Sequence, residues 1–182
     1  IRLLTATGEE RAAADLAAAT GAWLAQQTAD PNSAERGRDL WLAGRMAAEY
    51  ALAGQQPGAA QRELDRLAAN EGVQRFLKNA TQSAAGAALL RDDADLSARV
   101  AAACLDFDAA TRHYERLAFD LPETPAPQRA QALLTLAAVY ADELGDFGRA
   151  QRLLPTMQSI TDDPRIDLQR RLAEVRNLLA TG

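Results

Sequence analysis

Three joints constrain this chain more than any other feature: LAGQQPGAAQRELDRL at 52–67, LDFDAATRHYERL at 105–117 and ELGDFGRAQRLL at 143–154. Each places glycine, proline or aspartate between two apolar, helix-forming runs and then continues into alanine and leucine or tyrosine. A connection this short between two helices folds them back along one another. The chain therefore reads as a series of helical hairpins, all-α. Apolar residues recur at spacings of three and four throughout, and no stretch shows the period-two alternation of a half-buried strand. Composition agrees: 48% of the residues are hydrophobic, with alanine the largest contributor, and only 5% are aromatic. Small side chains of that kind suit closely approaching helices better than a sheet.

With 182 residues the chain has room for one continuous core or for four or five hairpins, and it is read as a single repeat domain over 1–182. Helices are predicted over 7–27, 33–53, 57–70, 72–91, 95–105, 107–119, 125–144, 147–160 and 164–180. Thr7 with Glu10 forms a capping box for the first, and Pro57 suits the first position of the third. Thr124 before Pro125 caps the seventh. Gly54 and Gly145 are placed as left-handed residues ending helices. Residues 91–95, RDDAD, supply N-cap candidates and mark a break, with Gly86 a weak point before it. The final helix carries Ile166, Leu168 or Leu172, Val175 and Leu179 as a stripe to cover the last hairpin, as the ends of stacked arrays require.

The residues around the joints resemble tetratricopeptide repeats. In those, W-x2-L-G-x2-Y is followed by A-x3-F and a proline. Leu133, Leu136, Ala137 and Tyr140, then Gly145, Asp146 and Phe147, then Ala150 and Leu154 carry the likeness best. Ala43, Met46, Ala47 and Tyr50, then Gly54, Ala60 and Leu64 form a second match. Phe107, Ala110, Tyr114, Leu117 and Pro122 match a second half-repeat. The alanines at 60, 110 and 150 lie 50 and 40 residues apart rather than about 34, so the repeats are degenerate, and HEAT-like pairs also fit. The resemblance covers roughly 35–160. It implies a right-handed superhelix of stacked antiparallel hairpins that binds a protein or peptide segment in a groove. Ala47, Tyr50, Ala60, Leu64, Tyr114, Ala137, Tyr140, Phe147, Ala150 and Leu154 should then be buried.

The groove-lining candidates come from the side of a helix turned from its hairpin partner. On 33–53 that side holds Trp41, Arg45, Ala48 and Leu52, with Trp41 as a rigid anchor. The alternative is that this side packs on the preceding helix, which carries Trp23. On 125–144 it holds Gln131, Thr135, Ala138 and Asp142, polar as a solvated groove wall would be. No ladder of Lys, Arg and Asn of the kind that clamps a carboxylate terminus runs along these faces.

Chemistry is sparse elsewhere. His113 is the single histidine, in ATRHYERL, and reads as a boundary residue. Cys104, the single cysteine, reads as a small core residue. Asp92, Asp93 and Asp95 lack calcium-loop spacing, and no glycine-rich phosphate loop occurs. No catalytic, cofactor or metal residues are assigned, and the chain is not read as an enzyme. A net charge of −5, with arginines interleaved among acids, argues against nucleic acid as a partner. No run is long and apolar enough to span a bilayer. A start at Ile1 rather than methionine leaves room for an upstream anchor. The alanine- and arginine-rich composition, with Lys78 the only lysine, points to a bacterial source, and the compartment, bacterial cytoplasm or periplasm, is left open. The reading is a protein interaction scaffold or assembly factor; its alternative is a helical accessory domain cut from a cell-wall lyase or a transcription regulator.

Overall fold

A computed structural model of the chain describes residues 9–26, 34–121, 124–160 and 163–181. Among them nine α-helices occur and no strand: α1 Glu10–Gln26, α2 Ala34–Ala53, α3 Pro57–Ala68, α4 Glu71–Ala80, α5 Ala84–Ala103, α6 Phe107–Glu115, α7 Ala126–Ala138, α8 Phe147–Gln158 and α9 Pro164–Thr181. Helices α6 and α7 each run on into a π-helical turn, Arg116–Asp120 and Val139–Glu143. Two compact units are distinguished, Ile1–Leu96 and Ser97–Gly182, and each is described by itself. Thr7 and the 27–33 break fall outside the described residues.

The three joints share one backbone solution. Gln55, Leu105 and Gly145 all have positive φ, at 57°, 62° and 65°, one position before Gln56, Asp106 and Asp146. At the first two, the amide after the left-handed residue donates back across five residues, Gln56 to the Ala51 carbonyl at 2.8 Å and Asp106 to the Ala101 carbonyl at 2.9 Å. That is a Schellman closure, which satisfies carbonyls the helix end would otherwise orphan. At the third, the π turn widens the closure by one residue, so Asp146 donates to the Tyr140 carbonyl at 2.7 Å. Asp106 and Asp146 then cap the following helices, their carboxylates accepting from the amides of Ala109 and Arg149, each at 2.9 Å. Gly54 is thus not the left-handed residue of its joint: Gln55 is. The Schellman bonds hold a side chain that the torsion itself disfavours.

Four residues past each left-handed position plus one sit Ala60, Ala110 and Ala150, all 0% exposed. Ala47, Tyr114, Ala137, Tyr140 and Leu154 are buried with them, while Tyr50, Leu64 and Phe147 are only half-buried. Leu67 takes the interior place that Leu64 was expected to fill, and Phe147 stands at the first position of α8, at the mouth of its joint. Ala137 is 1% exposed, so Ala137→Leu is expected to overpack the core and cost about 1 to 3 kcal/mol. A thermal melt indistinguishable from wild type would contradict that packing.

In the first unit, α2 packs against α1, α3 and α4. The helix expected over 72–91 is instead two. Helix α4 ends at Ala80, and α5 begins after a turn at 81–83, where the Thr81 hydroxyl donates to the Lys78 carbonyl and the Ser83 hydroxyl accepts from the Gly86 amide. Gly86 is what permits this bend: a Cβ there would fall 1.9 Å from the Ala80 carbonyl oxygen. Residues 91–95 do not break the chain, since α5 runs through them. The carboxylates of Asp92 and Asp93 are engaged by Arg45 and Trp41 of α2. Asn70, expected to end α3, caps α4 by accepting from the Val73 amide at 3.0 Å.

In the second unit, α7 packs on α6, α8 and α9, and α9 also packs on α8. The Tyr140 hydroxyl donates to Glu115 Oε1 at 2.7 Å, and the Arg149 guanidinium lies 5.4 Å from the Tyr140 ring. Burial, and then the hydrogen bond to Glu115, pushes the Tyr140 phenol above its usual range. Thr124 does not cap α7; its hydroxyl donates to the Leu121 carbonyl, and Pro125 occupies the cap position. Cys104 is half-buried at its joint rather than in the core.

Helix α9 does lie on the last hairpin, and Ile166 is buried as expected, but the rest of the expected stripe faces outward. Ile166, Arg170 and Asn177 are buried, whereas Leu168, Leu172, Val175 and Leu179 are 54–80% exposed. Arg170 tolerates burial because it is ion-paired within its own helix, to Asp167 at 2.7 Å and to Glu174. The hydrogen bond from Arg170, with Arg171 adding to it, holds the Asp167 carboxyl below its usual range. Leu168, Leu172, Val175 and Leu179 therefore cover nothing within their own hairpin.

Candidate functional site

The residues picked from sequence as groove walls separate into two groups with different fates. Trp41 is 1% exposed and Ala48 0%; Arg45 and Leu52 are half-buried. Trp41 therefore cannot anchor a ligand in a groove. Nor does it pair with Trp23, which is 60% exposed. It lies in a cluster with Leu40, Leu67 and Val73, against which Phe76, Leu77 and Leu89 pack, its ring 5.8 Å from that of Phe76. Its indole N–H donates to Asp93 Oδ1 at 3.0 Å. Arg45 sits 5.3 Å over the same ring, paired to Glu49 at 3.0 Å and to Asp92 at 3.5 Å. Asp92 and Asp93 thus close over an aromatic core, because a buried indole N–H needs an acceptor.

Gln131 and Thr135 have a different setting. With Leu134 and Ala138 they form the α7 wall of a groove of about 400 Å³ whose other wall is Gln169, Leu172, Ala173 and Arg176 of α9. Leu134, Ala138, Leu172 and Ala173 make it largely apolar. Gln131 and Gln169 supply side-chain amides. The Thr135 hydroxyl donates to the Gln131 carbonyl at 3.0 Å. Asp142 lies beyond this wall, where it accepts from Arg176 at 2.9 Å and ties the end of α7 to α9. Sequence reading found the α7 wall by asking which side of the helix faced away from its hairpin partner. It missed the α9 wall because Leu172 was assigned to the interior.

No family model, curated protein or solved structure matches this chain. The site is accordingly described by its own chemistry. Its lining contains one ionisable group, the Arg176 guanidinium. Such a surface offers apolar area and a few hydrogen bonds, the usual make-up of a binding site. A second hollow of about 200 Å³ lies in the first unit among Ala14, Ala18, Ala47, Ala51 and Ala59, with Asp15, Gln56, Arg62 and Glu63 at its rim. Among the described residues no group of three or more His, Cys, Asp or Glu converges as a metal site, and no helix is long and apolar enough to cross a membrane.

Proposed function

We propose that this chain is a non-catalytic, helical-repeat binding module, similar in its hairpin joints to tetratricopeptide repeats, that receives a segment of another protein between α7 and α9. The observation that carries this reading is the coincidence of an apolar groove with an exposed run of leucine and valine on one of its walls. A contiguous exposed apolar patch edged by polar side chains is a recurrent mark of interaction surfaces. Gln131, Thr135, Leu172 and Arg176 are the contact residues in this reading, and Trp41 and Ala48 belong to the core.

A photo-crosslinking amino acid at position 135, in the groove, tests it when compared with one at exposed position 75 on α4. A discrete adduct is expected from position 135 alone, and it should disappear when Leu172→Glu is added. Equal labelling from both positions, or labelling insensitive to Leu172→Glu, would refute the groove as the site.

A further inference from the structure

Four of the five large apolar residues exposed on α9 share one line, the fifth, Leu178, lying outside it on the Arg171 side. Leu168, Leu172, Val175 and Leu179 are spaced by four, three and four residues, the 3.5-residue repeat of a coiled-coil seam. At 100° per residue they form one narrow arc, diametrically opposed to the buried Ile166, Arg170 and Asn177. Arg165 and Arg176 border the arc on the groove side, and Arg171 borders it on the other. Arg171 and Arg176 are paired to Asp167 and Asp142, but at 68% and 47% side-chain exposure such pairs are weak and readily exchanged. Glu174, the remaining acid of α9, is turned inward onto Arg170.

From this arrangement we propose that the outward face of α9 docks an amphipathic helix of a partner protein, with leucine-type residues at alternating three- and four-residue spacing and glutamate or aspartate on both flanks of that seam. The proposal rests on the binding-module reading and specifies its partner. The seam sets the spacing, because each partner side chain must enter a hole between α9 residues. Leu172 belongs both to the seam and to the groove beside it, so the docked helix has a recess on one side to fill. The arginine flanks set the charge.

They also argue against a second copy of this chain as occupant. In a parallel pair, the flanking positions five residues apart meet, which brings Arg171 of one copy against Arg176 of the other. In an antiparallel pair like flanks meet, which sets Arg176 against Gln169 and Arg171 against Leu178, so again no arginine finds an acid. A lipid surface is the other occupant with an affinity for basic, apolar faces. Helix α9 has no Trp, Phe or Tyr for the bilayer interface and no lysine, and the chain is net negative at −5, so an anionic bilayer would be approached against overall charge.

Three dye-labelled synthetic helices of three heptads test this by fluorescence anisotropy with the full chain. One has leucine at the seam and glutamate at the flanks, one has leucine and lysine, and one is the acidic sequence scrambled. The acidic helix is expected to bind at least tenfold more tightly than the lysine helix at low ionic strength, with the difference shrinking as salt rises. The scrambled helix should not bind. Val175→Glu should abolish binding with an unchanged circular-dichroism spectrum, since Val175 is exposed. The double reversal Arg165→Glu, Arg171→Glu should turn the preference toward the lysine helix. Equal affinity for both helices, or failure of the reversal to change the preference, would overturn the charge assignment. Absence of all helix binding, with the position 135 adduct intact, would overturn helix docking while leaving the groove reading in place; loss of both would remove that reading too. Sedimentation showing a dimer dissolved by Val175→Glu would replace the partner helix with a second copy. Binding to phosphatidylserine vesicles lost in the same variant would replace it with a membrane.

Discussion

Trp41→Ala is expected to cost the first unit about 3 to 5 kcal/mol, the range for truncating a fully buried tryptophan. The indole is 1% exposed among Leu40, Leu67, Val73 and Phe76, residues from three helices. The loss exceeds the emptied volume, because Asp93 Oδ1 loses its donor and Arg45 loses the ring beneath it. Trp41→Phe separates the two effects. It retains a packed aromatic ring but removes the N–H and part of the indole volume, so a smaller cost of about 1 to 3 kcal/mol is expected. Chemical denaturation followed by circular dichroism reads both variants. A Trp41→Ala protein as stable as wild type would show that the ring is not part of a packed core and would return it to candidacy as a surface anchor.

Gly37→Ala is expected to be comparably damaging although it adds one methyl group. A Cβ at position 37 would lie 2.0 Å from the Gly72 carbonyl oxygen, 2.3 Å from its carbonyl carbon and 2.9 Å from the Val73 nitrogen. All three are backbone atoms of α4, so no rotamer change relieves the clash and α2 must move away from α4. Val73, 0% exposed, and the Trp41 cluster would open with it. A destabilisation of about 3 kcal/mol, at the upper end of overpacking, is expected. Gly58→Ala is the matched control: its Cβ meets only an Arg62 Nη at 3.8 Å, and helix propensity should make it neutral or stabilising by up to about 1 kcal/mol. If both variants melt alike, the close approach of α2 and α4 is wrong.

Both predictions concern contacts invisible along the chain. Helix existence was legible in the sequence, because a three-and-four apolar spacing and short capped joints each act within about one turn. The α7 wall of the groove was legible for the same reason: once α7 and α8 are joined by Gly145 and Asp146, the side carrying Gln131 and Thr135 must face elsewhere. The left-handed residues were legible only where glycine advertised them. Gln55 and Leu105 take the same torsion without a sequence signal, since it is the Schellman hydrogen bonds that hold them there.

What the sequence determined by itself was local: an all-helical chain, three equivalent joints, the alanines that let helices approach, and a terminal helix after Pro164. What only tertiary structure decided was which side of a helix meets a neighbour. Aspartates at 92 and 93 look like a helix start when judged by their propensity for caps, yet α5 runs through them because Trp41 and Arg45 of α2 supply a donor and a charge. The stripe of Leu168, Leu172, Val175 and Leu179 looks like an inward face when judged by hydrophobicity, yet α9 buries Arg170 instead. Hydrophobicity ranks a side chain against water, and it says nothing of whether an arginine carries its own counter-ions one turn away on either side. Asp167 and Glu174 do that for Arg170, and the apolar arc is left facing outward.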